Sequence, residues 1–120
     1  MSEMQLGVVE SRFADIIWKN EPVSSAELVK LCQQELNWKK STTFTVLRRL
    51  CQKGIFENNG GSVKSLISRD EFYSLQSQRF VEETFQGSLP AFLAAFCAKK
   101  NLSPDEVSAL RRMVAEYEEE

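Results

Sequence analysis

Three times along the chain a serine is followed three residues later by a glutamate, and each pair is bracketed by apolar residues. The segments are Val23-Ser24-Ser25-Ala26-Glu27-Leu28, Ile67-Ser68-Arg69-Asp70-Glu71-Phe72 and Leu102-Ser103-Pro104-Asp105-Glu106-Val107. In such a segment the serine hydroxyl satisfies a free N–H at a helix start, the glutamate reaches back to the serine N–H, and the flanking apolar residues pack across the cap. Pro104 stands at the first helical position, where its fixed φ suits the helix and the missing N–H is no loss. Three helix starts are thus fixed by local chemistry, and the rest of the chain must connect them.

Between these starts, apolar periodicity predicts the remaining elements. Val9, Phe13, Ile16 and Ile17 form the stripe of a helix from about Val8 to Lys19, ended by Asn20-Glu21-Pro22. A second helix, Ser25 to about Glu35, buries Leu28, Leu31 and Cys32, and the short link Leu36-Asn37-Trp38 leads to a third. That third helix starts near Ser41 and stops at Gly54, a glycine placed for a left-handed C-terminal cap. At roughly 100° per residue, Thr43, Val46, Leu47, Leu50 and Cys51 share one face, while Ser41, Thr42, Thr45, Arg48, Arg49 and Gln52 share the other. No acid lies on the outward face of this helix.

Next, Ile55-Phe56-Glu57 and Val63-Lys64-Ser65-Leu66-Ile67 are β-prone runs flanking Asn58-Asn59-Gly60-Gly61-Ser62, which is hairpin chemistry. Three short helices followed by a β-hairpin predict a winged helix-turn-helix over residues 1–70, with the third helix as its recognition helix. A longer helix reaches about Phe85, and a linker follows at Gln86-Gly87-Ser88. Leu89, Phe92, Leu93 and Phe96 form one further helical stripe, and Val107, Leu110, Val114 and Tyr117 another, before the acidic end Glu118-Glu119-Glu120. The fold class expected is therefore mainly α: three helices plus a β-hairpin wing, then a C-terminal helical dimerisation region over residues 71–120. Leu89, Phe92, Leu93, Phe96, Leu110, Val114 and Tyr117 are the expected dimerisation residues, because their stripes are too large for a solvated tail.

Composition narrows the function. The chain has 120 residues, 42% hydrophobic and 27% charged, enough for one packed domain with an appendage. There is no histidine, so the usual general base, the Ser-His and Cys-His pairs and the commonest transition-metal ligand are absent. Cys32, Cys51 and Cys97 show no Cys-x-x-Cys or Cys-x-Cys spacing, so neither a metal site nor a disulfide framework is expected. With no Gly-rich phosphate loop or nucleophile elbow either, an enzyme is not expected, nor any cofactor. The longest mostly apolar stretch, Leu89 to Ala98, is too short to cross a bilayer and contains a proline. Residues 1–6 lack a basic patch followed by an apolar run, so a cytoplasmic protein without membrane insertion is expected.

The net charge of −2 hides a segregation. From Lys39 to Arg69 seven basic residues meet one acid, Glu57, a local charge of +6, while the remainder carries eight basic and sixteen acidic residues, or −8. Such a segment suits a polyanion, because phosphates are contacted by nearby cations and not by the global charge. Lys39, Lys40, Ser41, Thr42, Phe44, Thr45, Arg48 and Arg49, with Lys64 in the wing, are the expected residues for binding double-stranded DNA. The alternative is a winged helix that uses the same basic face on an acidic protein and does not bind DNA.

Several of these residues also fall into a known pattern. Ile16-Ile17-Trp18 at the end of the first helix, then Trp38, Thr42, Thr45, Leu47, Arg49, Leu50, Lys53 and Gly54, then Leu102-Ser103-x-Asp105-Glu106-x-x-x-Leu110, together resemble the penicillinase repressor family, bacterial repressors of the penicillinase and methicillin-resistance type. The resemblance covers nearly the whole chain. It implies a homodimeric transcriptional repressor on a near-palindromic operator, control of β-lactam resistance genes, and inactivation by cleavage that depends on a membrane-bound sensor metalloprotease. Family scissile bonds are similar to Asn-Phe, and the matching position here is Ala95-Phe96. No Cys-x-Cys pair matches the copper-responsive relatives.

Overall fold

Pro22 has no N–H to continue a helix, and the chain turns around it: α1 (Val8–Asn20) ends just before, and β1 (Val23–Ser24) leaves just after. The computed structural model describes residues 6–118, so the reading of the first five residues and of Glu119-Glu120 lies outside the described part. Ser24 closes β1 and caps α2 (Ser25–Leu36), its hydroxyl accepting the Glu27 N–H at 3.1 Å. Asn37, left-handed at φ 56°, ends α2 with its N–H on the Cys32 carbonyl, and a tight turn leads to α3 (Lys40–Gln52).

After α3, Gly54 takes φ 82° and turns the chain into β2 (Phe56–Asn59), which runs antiparallel to β3 (Ser62–Ser65). The connection is only Gly60-Gly61, at φ 62° and 92°. Two successive positive φ values make the tight two-residue turn that matches strand twist, and only glycine adopts them without strain. The strands therefore extend further toward the tip than the expected Asn58–Ser62 loop, and Ile55 lies before the strand instead of in it. Sheet order is β1-β3-β2, with Val23 opposite Val63. A third strand was not expected: two residues carry no periodicity, and Val23 reads equally well as the helix staple.

The core gathers the inward faces of these elements. Phe13, Ile17, Leu28, Leu47, Leu50, Ile55, Phe56 and Val63 are all buried, joined by Phe72 from α4 (Arg69–Phe85). Val9, expected in the α1 stripe, is instead half exposed, whereas Phe13, Ile16 and Ile17 of the same stripe are buried. Trp18 sits among Phe56, Phe72 and Tyr73 with ring centroids 5.3, 5.6 and 5.9 Å away, and its indole N–H donates to the Ile67 carbonyl at 3.1 Å. Glu21 accepts both the Ser65 N–H, at 2.8 Å, and the Ser65 hydroxyl, at 2.7 Å, fastening β3 to the turn after α1. This is a winged helix: three helices with a hairpin wing, mainly α in class.

The remaining helices are α5 (Leu89–Cys97) and α6 (Pro104–Glu118). Ser68 caps α4 through the Glu71 N–H, and Ser103 and Glu106 close a box in both directions at 3.1 and 2.9 Å. Ser88, placed in the linker by sequence, caps α5 through the Ala91 N–H. The chain groups into two compact units, one ending at Ser77 and the other starting at Gln78, so the divide falls inside α4.

The indole N–H of Trp18 has one carbonyl partner in a half-buried setting, so Trp18→Phe should lower the unfolding free energy by about 1–3 kcal/mol through the orphaned Ile67 carbonyl and lost ring area. Urea unfolding followed by circular dichroism checks this, with a lower midpoint and an unchanged slope as the expected result.

Candidate nucleic-acid interface

The two faces of α3 separate cleanly. Thr43, Val46, Leu47 and Leu50 are buried, whereas Lys39, Lys40, Ser41, Thr42, Thr45, Arg48 and Arg49 are exposed. Thr43 can face the core because its hydroxyl donates to the Lys39 carbonyl at 3.2 Å, one turn back. Thr45 does the same toward Ser41 at 2.9 Å but on the exposed side, so its oxygen still offers lone pairs outward. Trp38, at the turn before α3, stacks on Phe13 with centroids 5.4 Å apart and fixes where the helix begins.

Among the described residues Lys39, Lys40 and Arg48 enter no salt bridge, and their charges stand in solvent. Two other cations are paired. Arg49 meets Glu10 of α1 at 3.1 Å, and Lys64 meets Glu57 at 3.4 Å across the β2–β3 ladder. The face is acid-free along α3, as its sequence indicates, but α1 supplies an acid at its edge, and that position is invisible to a helical wheel. Partial burial pushes the Glu10 carboxyl up, yet hydrogen bonds from Gly7 and Arg49 and the charges of Lys53 and Arg49 outweigh it and hold the carboxyl below its ordinary range. Glu10 is therefore ionised near neutral pH.

Phe44 is half-buried and packs against the core, with its edge in a shallow cleft of about 220 Å³ shared with Leu47, Arg48, Cys51 and Asn58. Part of its ring stays exposed in that cleft, beside Asn58 of the wing. Burial pushes the Cys51 thiol up against a hydrogen bond at the Asn58 backbone, and burial likewise pushes Cys32 up to about 11. Both thiols are protonated at neutral pH and behave as small packed side chains. No group of three or more Cys, Asp or Glu is placed to hold a metal ion among the described residues, and no described helix is long and apolar enough to cross a membrane.

The second unit presents a different surface. Neither α5 nor α6 contains a buried residue. Leu89, Leu93, Phe96, Val114 and Tyr117 are exposed, Phe92 and Leu110 half-buried, and Met113, outside the expected stripe, is 57% exposed. Phe80, Phe85 and Phe92 meet edge to face at 5.7–5.9 Å, and Phe96 continues the cluster at 6.2 Å from Phe92. An apolar groove of about 300 Å³ runs between Phe92, Phe96, Leu102 and Leu110. The Ala95-Phe96 bond lies within α5, with both residues exposed.

Comparison with known proteins agrees with this architecture. The family model described as penicillinase repressor matches residues 6–116. The methicillin resistance regulatory protein MecI of Staphylococcus aureus strain Mu50 is 25% identical over 114 residues, covering 92% of this chain and 93% of that protein. The penicillinase repressor of Bacillus licheniformis is 24% identical over 117 residues, covering 94% and 91%.

The exposed face of α3 supports no core contact, so Thr42→Ala should change the unfolding free energy by less than about 0.5 kcal/mol. Thr43→Val, which deletes a buried hydroxyl bonded to the Lys39 carbonyl, should cost about 1 kcal/mol. Parallel urea titrations of the two variants measure the difference.

Proposed function

The chain belongs to the penicillinase repressor family, and we propose that it represses transcription as a homodimer that grips a near-palindromic operator through α3 and the wing. Family membership makes it a DNA-binding transcriptional repressor and not an enzyme. The observation that carries the finer reading is the face of α3: Lys39, Lys40, Ser41, Thr42, Thr45 and Arg48 are exposed together, offering cations and hydroxyls with no acid among them. Cations of this kind neutralise phosphates, while threonines and a guanidinium read base edges in the major groove. Phe44 would meet a thymine methyl or a sugar, and Arg49 and Lys64 would contact flanking phosphates from the edge of the face and from the wing. In this reading residues 1–70 bind DNA and residues 71–120 dimerise.

Dimerisation follows from the uncovered apolar side chains of α5 and α6. A second copy would cover Leu89, Phe92, Leu93, Phe96, Leu110, Val114 and Tyr117 and set two α3 helices roughly 34–36 Å apart, one duplex turn. Bivalency then supplies affinity that neither half has alone. The names of the relatives motivate β-lactam resistance genes as the regulated targets, and the family resemblance motivates a membrane-bound sensor metalloprotease as the partner that ends repression, with the repressor itself acting in the cytoplasm. Cleavage between Ala95 and Phe96 would split α5 and remove Phe96 from the dimer surface, abolishing bivalency without touching α3.

A duplex that the protein selects from a random-sequence library tests DNA binding. Arg48→Ala should bind it about tenfold to a hundredfold more weakly, and wild-type affinity should fall steeply with salt. Affinity for duplex DNA that is negligible, or that does not respond to salt, would point instead to an acidic protein partner. Sedimentation equilibrium should give a dimer at micromolar concentration, and Val114→Glu a monomer with greatly weakened operator binding. Incubation with the cognate sensor protease and mass spectrometry should place the cut after Ala95; a cut before Gly54 overturns the proteolytic reading.

A further inference from the structure

Arg49 and Glu10 lie 39 residues apart and belong to different helices, yet their side chains meet at 3.1 Å. The acid is the better fixed of the two. Its side chain is 19% exposed, against 52% for Arg49, and its two oxygens have separate tasks: Oε1 accepts the Gly7 N–H at 3.2 Å and Oε2 accepts Arg49 Nη1. Glu10 also occupies the first turn of α1, where the helix dipole favours a negative charge. It is an anchored carboxylate, and the guanidinium leans on it.

A carboxylate beside a surface that binds a polyanion repels that polyanion, and a guanidinium paired with it carries no net charge to offer at long range. The pair therefore has to act by geometry. A guanidinium has five N–H donors in a planar fork, and the bond from Nη1 to Glu10 engages one of them. An arginine left loose loses side-chain entropy when it binds, on the order of 0.5–1.5 kcal/mol for an immobilised long side chain. One already held loses less.

We propose that Glu10 is a positioning residue for DNA binding, holding the Arg49 guanidinium at the edge of α3 so that its remaining N–H groups meet a DNA phosphate in a preset orientation. This presupposes the DNA binding proposed above, and it assigns to α1, which offers no cation to the duplex in that reading, a part in setting affinity.

Simple electrostatics and the positioning role predict opposite signs, which makes the role testable. With the duplex selected by the wild-type protein as probe, E10Q should bind about threefold to tenfold more weakly although it removes a negative charge, and the dependence of log affinity on log salt should keep its slope because Arg49 remains charged. R49A should bind more weakly still and lower that slope by about 1. In the R49A background E10Q should have no further effect. R49K keeps the charge but loses the planar fork and should bind several-fold more weakly at an unchanged slope. Thermal melting of each variant accompanies the titrations, and R49K decides the matter should E10Q fail to fold. Binding by E10Q as tight as or tighter than wild type overturns the proposal, as does an equal loss from E10Q with and without Arg49, or wild-type affinity in R49K. If the wild-type protein selects no duplex, the DNA-binding reading falls and this role with it; if it selects one and E10Q binds it unchanged, only the role of Glu10 falls.

Discussion

The packing of Trp18 is the contact on which the winged helix depends. One side chain at the end of α1 touches Phe56 of the wing and both Phe72 and Tyr73 of α4, while its N–H closes on the carbonyl of Ile67 between them. Tilted aromatic contacts of this kind contribute about 0.5–1.5 kcal/mol each beyond the area they bury. Their larger effect is geometric. The chain leaving β3 must pass over Trp18 before Ser68 can cap α4, and Arg69 then bonds Asp15 at 3.1 Å while lying over the Tyr73 ring. The exit of the wing and the entry of α4 are thus set by one residue of the first helix.

The same helix controls the other two exposed elements through carboxylates near its ends. Glu10, in the first turn, reaches α3, and Glu21, just past the last turn, takes the N–H and hydroxyl of Ser65 in β3. The exposed Glu10–Arg49 ion pair adds at most about 1 kcal/mol, and the part-buried hydrogen bonds that Ser65 donates to Glu21 add about 1.5–3 kcal/mol at most. Their value lies in separation: two fixed points 11 residues apart, near opposite ends of the 13-residue α1, limit how α3 and the wing can rotate on it. The hydrophobic core alone, being non-directional, does not impose that limit.

Much of this was readable in the sequence wherever the cause is local. The starts of α2, α4 and α6 follow from serine, glutamate and flanking apolar residues within six positions, and the two faces of α3 follow from its period. What escaped has partners far along the chain. β1 is two residues long and becomes a strand only because Val63 lies opposite Val23, and the bonds Glu10–Arg49 and Glu21–Ser65 join residues 39 and 44 positions apart. Val9 has the right spacing for the core but sits in the first turn of α1 and stays half exposed. For the candidate interface, the sequence displayed the exposed residues of α3 but not the acid that α1 brings to their edge.

On α3, Thr42, Thr45 and Arg48 lie on the exposed stripe, while Thr43, Val46, Leu47 and Leu50 carry the packing. Mutations in these two sets are filtered by different pressures. A change among the packed residues is removed because the chain no longer folds, whatever it would have bound. A change on the exposed stripe leaves the fold intact, so after gene duplication two copies can diverge there one substitution at a time, without passing through an unfolded intermediate. Within a single helix of 13 residues, one stripe is bound by the demands of folding and the other is released from them.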